Sequence, residues 1–216
     1  EREFNVKVVI VSGGSAPSKK LLERELNKDS ILICADSGGN CLYRYNILPK
    51  YLMGDFDSID GEVLNFFKYK GCIIEEYPKV KDCTDTEIVI DKALGLKPDE
   101  IVLLGVTGSR VDHLLGNLGM LLKCNLSGVK AYIKDEHNTI ELVDKSTRIE
   151  GEEGETFSLY AYCDVVKNLS IIGAKYKLDN YDLKLGDGRT ISNEFLKKSA
   201  DIVFDSGRLL LMKSRD

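Results

Sequence analysis

From the start of the chain to about residue 144, short apolar runs rich in β-branched residues alternate with longer stretches whose apolar positions recur at helical spacing. That alternation predicts a layered α/β domain built on a mostly parallel sheet. The runs VKVVIV (6–11), SILICA (30–35), YLMG (51–54), CIIEEY (72–77), IVLLGV (101–106) and VKAYIK (129–134) predict strands, with helices at 17–27, 39–46, 60–70, 85–95 and 111–123. In the last of these, Leu114, Leu115, Leu118, Leu121 and Leu122 are expected to pack inward. After about residue 145 the texture changes to ETFSLYAYC, LSIIG, KYKL and ADIVFDSGRLLLMKS, with a turn expected at Asp205, Ser206 and Gly207. Short runs broken by Gly, Asp and Asn predict a small all-β unit. The expected domains are 1–144 and 145–216. The second is thin for an independent core, so its sheet is expected to pack on the first domain or on a second copy of the chain.

The charge balance, 30 basic against 35 acidic residues with a net of -5 and no basic tract, argues against a nucleic-acid surface. No apolar run approaches the roughly 20 residues that span a bilayer, and EREFNVKVVIV lacks a signal peptide's cleavage region. A soluble chain in the cytoplasm, without a membrane partner, is the expectation. The six cysteines occur singly and only two histidines accompany them, which argues against zinc. Thiols inside runs such as ILICAD and GCIIEEY suit a reducing compartment.

Loops leaving the carboxyl ends of parallel strands form the ligand crevice of such a fold, and the polar motifs fall there. In GDFDSI, an extended backbone would put the carboxylates of Asp55 and Asp57 on one side, roughly 6 to 7 Å apart at their backbones. A hard divalent cation would reverse their repulsion, and Mg²⁺ commonly uses one or two carboxylates plus substrate phosphates. The alternative is an acidic turn in which Asp57 or Ser58 caps the next helix. In DCTDTE, Thr84 and Glu87 form a capping box, which leaves Asp82 and Asp85 unexplained except as acids favoured in a first helical turn.

In GVTGSRVDHLLGN, Arg110 opens a helix, where a guanidinium opposes the dipole unless an anion or carboxylate is near. Asp112 and His113 follow, with Asn117 on the same face as His113. The bland reading is a surface Arg110–Asp112 pair with a capping role. The exits VSGGS (11–15) and ADSGGN (35–40) are either tight βα turns or places where a nucleotide approaches the backbone. Neither the P-loop nor the dinucleotide fingerprint is present.

Together ADSGGN (35–40), GDFDSI (54–59), DCTDTE (82–87), GVTGSRVDH with LLGN (105–117), ISNE (191–194) and SGRLLL (206–211) resemble the thiamin pyrophosphokinase family in order and spacing. The resemblance implies an α/β domain joined to a β-sandwich, a homodimer, and transfer of a diphosphoryl group from ATP to thiamin with Mg²⁺ as cofactor. It implies a metal set of Asp55, Asp57, Asp82 and Asp85, and catalytic roles for Asp55, Asp57, Asp85, Arg110 and Asp112. ATP would meet Asp36, Ser37, Gly38, Asp82, Thr84, Arg110, His113 and Asn117; thiamin would meet Asp85, Ser192 and Asn193. With no tryptophan in the chain, stacking on thiamin falls to Tyr or Phe.

A D-x-D pair also occurs in aspartyl-nucleophile phosphatases, which place it on the first strand of the core, and in nucleotide-sugar transferases. A nucleotide or thiamin sensor would keep the pockets without the reactive arrangement.

Overall fold

The computed structural model describes residues 6–79 and 82–215. The chain divides into two compact units, the first ending at Glu136 and the second beginning at His137.

In the first unit the strands are β1 (Lys7–Val11), β2 (Ile31–Ala35), β3 (Tyr51–Gly54), β4 (Ile73–Glu76), β5 (Glu100–Leu104) and β6 (Lys130–Lys134). The helices are α1 (Lys19–Glu25), α2 (Gly38–Tyr45), α3 (Gly61–Tyr69), α4 (Asp85–Gly95) and α5 (Val111–Leu126). The strands pair in parallel in the order β6-β5-β1-β2-β3-β4. Central strands must be apolar on both faces, and residues 8–11 and 101–104 are fully buried. The edge strand β4 instead carries Glu75 and Glu76, charges that discourage further pairing. The chain winds outward from β1 to β4 and then returns to β5 on β1's other side. That makes β1/β5 the switch point, where the two following loops part and leave a crevice.

The second unit contains β7 (Asn138–Val143), β8 (Thr147–Glu150), β9 (Thr156–Ala161), β10 (Val165–Ile172), β11 (Leu178–Lys184), β12 (Asn193–Glu194), β13 (Ser199–Val203) and β14 (Leu209–Ser214). These form antiparallel arrays β12-β9-β14-β7 and β11-β10-β13-β8. Phe157, Leu159 and Leu211 from one array meet Val166, Leu169 and Ile202 from the other in one buried cluster, a β-sandwich. Rings of Phe157 and Phe195 pack with centroids 4.8 Å apart.

Two expectations change. The division falls at 136/137 rather than 144/145, because residues 138–143 pair along their whole length with β14. Asp205 to Gly207 do lie between strands, as the expected turn requires, and since β13 pairs with β10 and β8 and β14 with β7 and β9, the chain crosses between sheets there. On α5, Leu115 is exposed, and the buried face is Asn117, Leu121 and Cys124. Among the described residues no helix is long and apolar enough to cross a membrane.

Candidate active site

A cleft of about 720 Å³ opens at the carboxyl ends of β1, β2, β3 and β5. Its floor is made by the two loops that part at the switch point. Ser12 N–H donates to Leu104 O (2.9 Å), Gly14 N–H to Gly105 O (2.7 Å) and Ser15 N–H to Thr107 O (2.7 Å), zipping the loops together. A Cβ at Gly14 would lie 2.4 Å from Thr107 O and 2.6 Å from Gly105 O, so only glycine permits this approach.

The acidic wall comes from the ends of β2 and β3. Asp36 follows β2 in the left-handed region (φ +44°), and Phe56 (φ +59°) turns the backbone between Asp55 and Asp57 the same way. Non-glycine residues held there are strained and collect at functional positions. Gly54 (φ +155°) lets the two acidic loops meet, since a Cβ there would stand 3.1 Å from the Asp36 Cβ. Carboxylate oxygens of Asp36, Asp55 and Asp57 lie within 4.8 Å of one another. Asp57 N–H donates to Asp55 Oδ1 at 3.1 Å. Burial pushes the Asp36 carboxyl above the usual range, and the negative charges of Asp55 and Asp85 push the same way against a hydrogen bond from Ser58 Oγ. The second Asp36 oxygen, Oδ1, is buried and has no hydrogen-bond partner among the described residues. Three hard carboxylate donors this close together fit a divalent cation.

This settles the capping alternative. Neither Asp57 nor Ser58 caps α3; Asp60 holds the N-cap position, and the Ser58 hydroxyl is spent on Asp36.

Thr84 caps α4 by accepting from Glu87 N–H at 3.2 Å. The box is only half formed, because the Glu87 carboxylate goes to Lys123 (3.2 Å). Asp85 lines the cleft, as do Ser37, Thr84, Arg110, His113 and Asn117. Gly38 is buried beneath the cleft, where a Cβ would lie 2.5 Å from Val11 O. Asp82 is exposed, and among the described residues it is Asp36 rather than Asp82 that joins Asp55 and Asp57.

Arg110 occupies the N-cap position of α5, and its Nε (3.1 Å) and Nη2 fork onto Asp112. Both side chains are about two-thirds exposed (67% and 65%), as the surface-pair reading expected. Arg110 holds the Asp112 carboxyl down at about 2. Asn117 is buried and gives its amide to Val106 O (2.7 Å), pinning the loop after β5.

In the second unit, Ser192 (φ +57°) donates its N–H to Ser158 Oγ (2.9 Å). Asn193 is 2% exposed: its Oδ1 accepts from Tyr176 N–H (3.0 Å) and Glu194 N–H (2.9 Å), and Nδ2 donates to Tyr176 O (2.8 Å). The amide thus fixes the backbone at Tyr176 and Glu194, and Tyr176 itself is 56% exposed.

Ser58 and Lys79 were given no site role by sequence reasoning, and neither were Ser12 and Thr107. The glycine exits VSGGS and GVTGS flagged the last two as neighbourhoods. No local signal marks Lys79, which lines the cleft and donates to Asp57.

A switch-point cleft in a parallel sheet, walled by converging carboxylates and followed by a separate β-sandwich, defines the class: a two-domain α/β protein with a polar ligand cleft. The model of the thiamin pyrophosphokinase catalytic domain matches residues 22–133 and that of the thiamin pyrophosphokinase vitamin B1 binding domain matches residues 139–209, so the chain belongs to the thiamin pyrophosphokinase family. It is similar to the thiamine pyrophosphokinase of Bacillus subtilis (strain 168), at 31% identity over 96% of this chain and 98% of the relative. The crystal structure of that B. subtilis enzyme has a TM-score of 0.89, covering 97% of this chain and 99% of the other at 30% identity. Thiamin pyrophosphokinase from Geobacillus thermodenitrificans has a TM-score of 0.85 at 27% identity, over 98% of both chains.

Proposed function

We propose that this enzyme transfers the diphosphoryl group of ATP to the hydroxyl of thiamin, giving thiamin diphosphate and AMP, with Mg²⁺ as its cation. The observation that carries the reading is the convergence of Asp36, Asp55 and Asp57 within 4.8 Å beside a glycine-floored cleft. Those three, with Asp85 beside them, would hold the ion. When bound, it neutralises charge on the transferring phosphoryl oxygens and on departing AMP.

The chain's own residues do the rest. Loops 12–15 and 105–109 seat the nucleotide, and the Arg110 guanidinium, at the cleft wall, faces the polyphosphate. The thiamin hydroxyl oxygen attacks the β-phosphorus, the bond from that phosphorus to the α–β bridging oxygen breaks, and AMP leaves with it. The hydroxyl proton passes to a carboxylate of the cluster. Asp112 is a poor acceptor, because Arg110 holds it at about 2.

The first unit serves ATP binding and catalysis, and the second binds thiamin and forms a homodimer. There, Ser192 and Asn193 meet thiamin, and Asn193 holds the backbone of Tyr176, whose exposed side chain would stack on the cationic thiazolium in place of Lys175 Nζ, now 5.5 Å from the ring centroid. The six free thiols favour a reducing compartment such as the cytoplasm.

The test is to incubate the purified chain with ATP, Mg²⁺ and thiamin and identify the nucleotide product. AMP that forms only with thiamin supports the reading; ADP, free phosphate or no turnover overturns it. A strict monomer by light scattering at working concentration removes the dimer.

A further inference from the structure

We propose that Lys79 is a positioning residue for the reaction: its ammonium holds the Asp57 carboxylate until a divalent cation takes its place, and then turns to the polyphosphate in the cleft. The proposal rests on the nucleotide reading above. Lys79 Nζ donates to Asp57 Oδ2. Asp57 belongs to the carboxylate trio, and Lys79 also lines the cleft that Asp55 and Asp85 line. One side chain therefore faces both places where charge must be balanced.

Three carboxylates this close repel one another, and a tethered ammonium relieves part of that repulsion with a single charge. A divalent ion brings two charges and displaces it. The Lys79 side chain is 74% exposed, so little packing holds its stem, and a four-carbon stem moves Nζ by several ångströms without backbone motion. An exposed ion pair is weak enough to be exchanged, worth up to about fivefold in a binding constant. Released, the ammonium is a donor for phosphate oxygens. An ordinary surface pair would share the exposure but would have no effect on nucleotide affinity.

The two duties predict effects of opposite sign, which loss of a merely structural contact would not produce. In Lys79→Gln, Mn²⁺ binding to the nucleotide-free protein, read by calorimetry, should tighten about two- to fivefold, because one internal competitor for Asp57 is gone. Binding of ATP with Mg²⁺ present should weaken about three- to tenfold, because a charge-assisted contact is lost. Lys79→Arg should restore ATP binding to within about twofold of the parent. Unchanged Mn²⁺ affinity, unchanged ATP affinity, or failure of Arg to rescue overturns the proposal. Both arms are binding measurements, so a parent protein that makes no AMP would sink the function reading while the role of Lys79 stands or falls on its own affinities.

Discussion

Ser58 Oγ donates to Asp36 Oδ2, tying the loop after β3 to the residue that follows β2. The contact joins positions 22 residues apart and holds one oxygen of the strained Asp36 while the other stays buried. Ser58→Ala should leave Asp36 free to rotate away from Asp55 and Asp57. The expected loss is about tenfold in kcat/KM for ATP, in line with a partly exposed hydrogen bond to a charged group. Because Ser58 is exposed, Tm should move by no more than about 2 °C. An unchanged kcat/KM would show that Asp36 needs no tether.

Asp112 gives a prediction in the other direction. A true general base contributes about 10² to 10⁴ in rate. Asp112 is paired with Arg110, is held at about 2 and is 65% exposed, so Asp112→Asn should keep turnover within about threefold. A hundredfold fall in kcat at constant KM would return Asp112 to the chemistry.

Much of this architecture could be read from the chain. The six strands and five helices of the first unit follow apolar runs and spacing, and Thr84 caps α4 as its sequence implies. What could not be read depends on distance along the chain. The polar-flanked run at 138–143 is a strand because β14, some seventy residues later, pairs with it. Glu87 abandons the capping box for Lys123, 36 residues away. GDFDSI announced two carboxylates; the third member, Asp36, joins them through a glycine that lets its loop approach and a serine that turned from helix cap to tether. Asn193, which the resemblance places against thiamin, also makes three hydrogen bonds to the backbone of Tyr176 and Glu194, and no local signal announced them.

That last contact is measurable. Asn193→Ala would leave part-buried backbone groups of Tyr176 and Glu194 without this partner, at about 1 kcal/mol, the low end for such a loss because water reaches them. Urea unfolding followed by a signal from the second unit should shift to lower midpoint by about that amount. If stability is unchanged while thiamin affinity collapses, the amide touches ligand and its framework role is refuted.

A buried carboxylate away from the cleft is one contributor to the acid sensitivity of the fold. Glu25 ends α1 with its side chain 6% exposed, and Oε2 meets Lys134 Nζ at 2.9 Å and Lys7 Nζ at 3.0 Å. Burial alone would raise its pKa, but the two ammonium groups outweigh that and leave it below the ordinary 4.5. A carboxyl whose folded value is depressed adds stability above its unfolded value, and that stability drains away as pH falls through the folded one. Replacing Glu25 with Gln leaves two ammonium groups facing a neutral amide, a loss of about 3 kcal/mol near neutral pH. Below about pH 4.5 the unfolded chain takes up a proton at Glu25 while the folded protein still resists it, so the gap between parent and variant should narrow. Urea titrations of both proteins at about pH 7, 4.5 and 3.5 decide it, since a gap constant across that range would mean that Glu25 contributes through packing and not through charge.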